Sequence, residues 1–227
     1  LALLRRGIPF SPLDIRLPAT TQRQQLASYA PTHLFYQKDM QERVEEIRAA
    51  DALGCPASLV DFAHLRSTET LASVQIAREK PMPVVPQDKP VVYFPRLTRD
   101  ETYIFAGFTL ENLSRTVTLI RQVFNLHRRD AVLCHMANGH FLALGRMILP
   151  AIFSGAKLLL LDRSWGPDEV LNTVKAHSPK LMIHFRKYFW QLERSARERR
   201  DSGQTLGTIQ HALVNADSPS VPFRESF

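Results

Sequence analysis

An α/β fold, with mostly parallel sheets and helices on both faces, is the architecture this sequence predicts, on three observations. Short β-branched and apolar runs alternate with segments of helical periodicity along the chain. The run KLLLL from Lys157 to Leu161 has the pattern of a strand covered on both sides. The connectors between successive strands are helix-length, which implies right-handed crossovers and parallel pairing.

The elements follow in order. LALLRRG reads as the last turns of a helix closed by Gly7 in a left-handed cap, with Arg5 and Arg6 at the negative end of its dipole. No helix start precedes it, so the helix is expected to begin upstream. His33 to Tyr36 reads as a strand, Asp39 to Ala50 as a helix, Ala57 to Val60 as a second strand and Arg66 to Glu79 as a weaker helix. Pro81 to Pro90 (PMPVVPQDKP) is punctuated by proline, cannot sustain a helix, and is the expected linker between a first α/β subdomain, 1–80, and a second, 91–227.

Beyond the linker, Val91 to Phe94 and Tyr103 to Phe108 form an expected hairpin over the polar turn RLTRDE. Thr109 caps a helix whose Leu110, Leu113, Val117, Ile120 and Phe124 recur at helical spacing. Ala131 to His135 is strand, and Phe141, Leu144, Ile148, Leu149 and Ile152 share a helix face before the strand at Lys157. Pro167 sits near N1 of a helix that turns Val170, Leu171 and Val174 inward. Lys180 to His184 is strand, Phe185 to Arg200 helix, and Ile209 to Val214 a buried-strand pattern. The tail ADSPSVPFRESF adds no closing element, so an internal segment of a longer protein is expected.

Composition narrows the function. With 44% hydrophobic and 22% charged residues the chain has the make-up of a folded protein, which excludes disorder and collagen. No apolar run approaches the ~20 residues a membrane span needs, and no signal-peptide pattern opens the sequence, so a cytoplasmic protein is expected. Cys55 and Cys134 lie far apart without CxxC or Cys/His spacing; they read as buried thiols, and neither a disulfide nor a metal site is indicated. A net charge of +7 raises nucleic acid as a partner. Its densest source, Arg186, Lys187, Arg194, Arg197, Arg199 and Arg200, shares one helix with Glu193 and Glu198 and reads as a solvated face. No specific nucleic-acid partner is expected. Glycine is scarce: nine residues in 227, about 4%, against the ~7% usual in proteins.

One stretch is more specific. Asp130 opens a strand that runs toward His140, an apolar helix follows through Leu149 and Pro150, and Ser154, Gly155, Ala156 and Lys157 open the next strand, closed by Asp162. Upstream, Leu4, Gly7, Pro12, Leu13, Asp14 and Pro18 fit the same pattern, and downstream so does LGTIQHALVNADSPSVP. In this order the residues resemble the acyl- and aminoacyl-adenylating superfamily, nearest to the fatty acyl-AMP ligase branch that includes the disco-interacting protein two family. The resemblance covers nearly the whole chain and implies a partial N-terminal (large) domain of an adenylate-forming enzyme. The parent reaction would activate a fatty acid or related carboxylate with ATP and magnesium to an acyl-adenylate and pyrophosphate.

Measured against that family, the phosphate loop is wrong. Its Ser/Thr/Gly-rich segment corresponds to FPRLTRDETY, Phe94 to Tyr103, where Thr98 alone survives. Backbone N–H groups wrap a polyphosphate where the chain can adopt φ > 0 and approach closely. Pro95, Arg96, Leu97 and Arg99 oppose this, and Asp100 and Glu101 add like charge. His140 falls where the family lines its acyl or nucleotide pocket; a histidine bonded locally at a helix start is the other reading. Asn215, Ala216 and Asp217 fall on the adenine loop, with Ala216 in place of a glycine.

The family's magnesium motif, its ribose-binding aspartate and its lysine-bearing C-terminal domain all correspond to positions beyond Phe227, so no catalytic residue is assigned within this chain. The expectation is a degenerate copy acting as a binding or structural module among other domains of a larger chain, with fatty acid or acyl-adenylate as its ligand. One alternative is the N-terminal half of an active but atypical fatty acyl-AMP or acyl-CoA ligase; a second is a basic nucleic-acid- or anion-binding surface domain.

Overall fold

The computed structural model describes residues 2–14, 17–48, 54–60, 88–98, 100, 102–137, 139–162 and 164–215. The chain divides into two compact units, Leu1–Leu110 and Glu111–Phe227.

In the first unit α1 (Ala2–Arg6) ends as its sequence implies. Gly7 adopts φ 63°, its N–H donates to the Leu4 carbonyl at 3.1 Å, and the Ile8 N–H donates to Leu3 at 3.0 Å. Helix α2 (Ala19–Tyr29) was not expected, because ATTQRQQLASY carries no apolar stripe; it buries Ala19, Gln22, Gln25 and Leu26. Strand β1 (Leu34–Tyr36) leads through a 3₁₀ turn, Lys38–Met40, into α3 (Gln41–Arg48), so the helix expected from Asp39 starts in the tighter form.

Strand β2 (Ala57–Leu59) pairs parallel to β1, with Leu34 opposite Ala57. Ala19, Leu26 and Ile47 form a small core against Leu13 and Leu34. Strands β3 (Pro90–Leu97) and β4 (Tyr103–Thr109) make the expected antiparallel hairpin, with Val91, Val92 and Phe94 buried. The helix expected at 66–79 and linker residues 81–87 lie outside the described residues.

The second unit holds a parallel four-stranded sheet. Helix α4 (Leu110–Val123) follows Thr109 directly and buries Leu113, Val117 and Ile120, three of the residues its spacing singles out. Strand β5 (Ala131–Cys134) is followed by a helical stretch in three parts: α5 (Phe141–Ala143), a π turn over Leu144–Ile148, and α6 (Leu149–Ser154). Pro150 explains the widened turn. It has no N–H to donate and its ring would press on the Arg146 carbonyl, so the Leu149 N–H reaches back five residues to Leu144 instead.

Strand β6 (Lys157–Leu160), α7 (Pro167–His177), β7 (Leu181–Phe185), α8 (Arg186–Asp201) and β8 (His211–Asn215) complete the unit, with sheet order β6-β5-β7-β8. All three pairings are parallel, with Leu133 opposite both Leu159 and Met182.

The period of two along β5 sorts its residues into two cores. Val132 and Cys134 pack with Leu142, Met147 and Ala151 on one face, and Ala131 and Leu133 with Val170, Val174 and Phe189 on the other. Helices therefore cover both faces, as the sequence predicts. Two expectations fail at the margins. Leu160 of β6 is 51% exposed, and His211 and Ala212 of β8 are exposed, so neither strand is buried on both sides. Both are the outermost strands of the sheet and lie past the cover of the flanking helices.

Candidate functional site

From β5 the chain moves outward to β6, then crosses back to β7 and β8 on the other side. The order of strands therefore reverses beside β5, and the crevice outside the carboxyl ends of β5 and β7 is where parallel α/β sheets bind ligands. Three rings meet there in a stack. His135 follows β5, His184 lies in β7, and Tyr188 rises from the first turn of α8. The His184 and Tyr188 rings are 4.1 Å apart at 29°, His135 and Tyr188 4.7 Å at 34°, and His135 and His184 5.6 Å at 27°. His135 and His184 are both buried.

Hydrogen bonds set the His184 tautomer. Its Nε2 lies 3.0 Å from the His135 carbonyl oxygen, which can only accept, while its Nδ1 accepts the Phe185 N–H at 2.9 Å. The ring is therefore the neutral Nε2–H form. Burial first, and then the Glu169 carboxylate, push the Tyr188 hydroxyl well above its ordinary range, so it stays protonated, and it meets no acceptor among the described residues. Burial likewise raises the Cys134 thiol, which makes it a packing residue and a poor nucleophile.

His140 caps α5: its Nδ1 accepts the Leu142 N–H at 3.1 Å, and its exposed ring meets Phe185 edge-on at 5.5 Å. Phe185 is paired in register with Asn215, the last residue of β8. The fold thus brings His140, Phe185 and Asn215 to the same end of one sheet, although 75 residues of sequence separate the first from the last. Ala216 and Asp217 lie outside the described residues. His135, His184 and Tyr188 were missed as a group; the available signal was a histidine closing each of two apolar strands, at the end where parallel sheets carry their ligands.

Thr98 belongs to the first unit, at the tip of the β3–β4 hairpin. Its N–H donates to the Thr102 carbonyl at 2.9 Å, its hydroxyl donates to the same oxygen at 3.0 Å, and Thr98 Oγ1 lies 2.7 Å from Thr102 Oγ1. Thr102 in turn donates to Asp100 at 3.4 Å. Hydrogen bonds from Thr98 and the Asp100 backbone hold the Asp100 carboxyl below its usual range, so Asp100 is ionised at neutral pH. A turn whose hydroxyl and amide are spent inward and whose acid is ionised does not fit a polyphosphate. Arg99 and Glu101 lie outside the described residues.

The opposite end of the four-stranded sheet is built as a clamp. Lys180, just before β7, places Nζ 3.0 Å from Asp130 Oδ2 and 2.7 Å from the Asn125 carbonyl oxygen, and the His127 N–H donates to Asp130 at 2.8 Å. Burial favours the neutral Asp130 acid, but the His127 amide and the Lys180 ammonium outweigh it and hold the carboxyl below its usual range. On α8, Arg194 pairs with Glu198, Arg197 with Glu193 and Arg199 with Asp168 of α7, so much of the basic helix is neutralised locally. Among the described residues no cluster of His, Cys, Asp or Glu could hold a metal ion, and no helix is long and apolar enough to cross a membrane.

No known family's sequence pattern matches the chain, and no curated protein does. Solved structures do. VinN in complex with L-aspartate superposes with a TM-score of 0.75 at 18% identity, over 98% of this chain and 53% of that one. ATP-bound MatB from Rhodopseudomonas palustris gives 0.74 at 12% identity, over 98% and 42%. The o-succinylbenzoate CoA synthetase MenE from Bacillus subtilis, bound to its acyl-adenylate intermediate, gives 0.68 at 13% identity, over 99% and 53%.

The fold is that of the N-terminal portion of adenylate-forming enzymes. The chain spans about half the length of these structures. They do not single out the fatty acyl-AMP ligase branch.

Proposed function

We propose that this chain is the N-terminal portion of a fatty acyl-AMP ligase-type domain that binds a carboxylic acid or acyl-adenylate without activating it, as a binding module of a larger cytoplasmic protein. The observation that carries the reading is the closed turn at Thr98. Adenylation requires the charge on the transferring phosphoryl group to be neutralised as the acid attacks. In the segment that the resemblance aligns with the phosphate loop, the Thr98 hydroxyl is committed to Thr102, and two residues on stands the Asp100 carboxylate. The polyphosphate of ATP, which the parent reaction uses with magnesium, would meet repulsion from that carboxylate.

The crevice between β5 and β7 keeps what an acyl group needs: the His140–Phe185 edge, apolar walls beneath it, and the buried His135 and His184 rings with the half-buried Tyr188 against them. His184, held neutral, and Tyr188, held protonated, offer no buried charge to oppose an apolar ligand.

ATP–pyrophosphate exchange by the full-length protein, with a panel of fatty acids and a variant lacking the downstream catalytic-type lysine as control, tests the reading. The expected result is no acid-dependent exchange above the control, together with binding of a non-hydrolysable acyl-adenylate that weakens in His140→Ala. Exchange that depends on the fatty acid would establish the rival, an active ligase. The ATP-bound and adenylate-bound neighbours favour that rival.

A further inference from the structure

The arginines of α8 are the densest basic run in the sequence, yet Glu193, Glu198 and Asp168 answer much of their charge. Cations without such partners gather at the amino end of the four-stranded sheet. Arg128, Arg129, Lys157 and Lys175 are exposed there, and none pairs with a carboxylate among the described residues. They come from three separate stretches of chain that contacts join. The Arg128 Cβ lies 3.4 Å from where a Cβ on Gly155 would stand, two residues before Lys157. Lys157 is in register with Ala131, and its Nζ donates to His177 Nδ1 at 3.2 Å, two residues past Lys175. An ammonium can only donate, so that ring is neutral and Lys157 keeps its charge. Lys180 and then His211 continue the row, the His211 N–H donating to the Lys180 carbonyl at 2.8 Å. Of the residues so joined Asp130 alone is acidic, and Lys180 and His127 already hold it.

Helix dipoles explain only part of this gathering. Lys175 lies in the last turn of α7, where a cation stabilises the helix end. Arg128 and Arg129 lie on the loop between α4 and β5, and Lys157 opens β6, so no helix end calls for them. Large apolar side chains stand exposed beside them: Val123, the last residue of α4, at 63%, and Phe153, two residues before Gly155, at 62%. We propose that this end of the sheet docks on the surface of an anionic phospholipid membrane, its cations on the headgroups and Val123 and Phe153 at the acyl boundary.

Charge, polarity and spread together select that partner. The row from Lys157 to His211 crosses four strands, about 14 Å at the usual strand spacing. Arg128 sits by the cap of α6, which covers one face of the sheet, and Lys175 lies on α7, which covers the other. The cations therefore spread in two directions, which a layer of acidic headgroups matches and a single extended acidic peptide does not. Duplex nucleic acid would use the cations but leave Val123 and Phe153 in water, whereas a lipid surface takes up both. The surface uses none of the residues of the β5–β7 crevice.

Co-sedimentation of the 227-residue chain with lipid vesicles tests the proposal. At about 0.1 M salt, phosphatidylcholine vesicles carrying about 30% phosphatidylserine should bind about tenfold or more tighter than phosphatidylcholine alone, and should release the chain at about 0.5 M. Arg128→Gln combined with Arg129→Gln is expected to weaken that binding about 25-fold, and Phe153→Ser about fivefold. Arg194→Gln combined with Arg197→Gln removes as much positive charge from α8 and should weaken it about threefold or less. No binding to the charged vesicles, equal binding to the neutral ones, an equal loss in the two double variants, or indifference to Phe153→Ser would each overturn it. So would tighter binding to polyglutamate or to a DNA duplex of about 20 base pairs at the same salt. The comparison among vesicles, polyglutamate and DNA needs no variant, so it stands even where a substitution fails to fold.

Discussion

The two ends of the four-stranded sheet are built from the same strands and do different work. At the amino end, Asp130 and Lys180 close β5 and β7 with an ion pair that Asn125 and His127 complete. At the carboxyl end, a few residues along those strands, the polar side chains are rings: His135, His184 and Tyr188 stacked within, His140 and Phe185 at the exposed edge. The amino end is tied by an ion pair, whereas the carboxyl end is built of rings, of which His184 and His140 bond to nearby backbone groups. The contrast separates a charged clamp that ties the strands together from a cluster of rings at the end where parallel sheets carry ligands.

The comparison is most severely tested beneath the crevice. Phe189 is fully buried and meets the His184 ring edge-on at 6.4 Å. Phe189→Ala should cost about 3–5 kcal/mol, read as a lowered midpoint in urea unfolding. Next in size, Asp130→Ala should cost about 2–3 kcal/mol by leaving the Lys180 ammonium without its partner.

That clamp also has a pH signature. Because the Asp130 carboxyl is held below its unfolded value, its contribution is complete above the unfolded pKa and is lost as pH falls through the folded one. A stability-versus-pH series should therefore fall less steeply on the acid side in Asp130→Ala than in the unmodified protein. An equal acid slope would remove the clamp from the account.

Smaller effects mark the connections. Gly207 passes so close to α7 that a Cβ there would lie 2.5 Å from the Lys175 Cα and from the Val174 carbonyl oxygen, so Gly207→Ala should cost about 1–3 kcal/mol. Gly155 caps α6 at φ 65°, and Gly155→Ala should cost about 1–2 kcal/mol, seen as a drop in Tm of several degrees. His140→Ala removes a cap bond at the crevice and should cost about 1 kcal/mol of stability, but it should weaken acyl-adenylate binding more than any amino-end substitution that leaves the protein folded. At the bottom of the scale, Arg194→Ala breaks an exposed pair on α8 and should change stability by about 0.5 kcal/mol or less.

Periodicity made most of the second unit legible in advance. Leu113, Val117 and Ile120 repeat at helical spacing, and Val170, Leu171 and Val174 do the same after Pro167; each group is buried as that repeat requires. The first unit was harder to read, because TTQRQQ gives a pattern argument nothing to grip, and the helix it forms is held by the Gln22 bond to the Asp14 carbonyl and a small core of Ala19, Leu26 and Ile47. The burial assigned to β6 and β8 failed because an apolar run does not reveal whether its strand will be central or outermost.

The site divides along the same line. The absence of glycine from FPRLTRDETY is visible in the residues alone, and it argues against a phosphate cradle because the missing property is a backbone freedom that only glycine supplies cheaply. That His135, His184 and Tyr188 form one stack, and that His140 touches Phe185 beside Asn215, could not be read from their positions in the chain. Those contacts depend on which strands lie side by side, and strand order is set by long-range packing that no local pattern encodes.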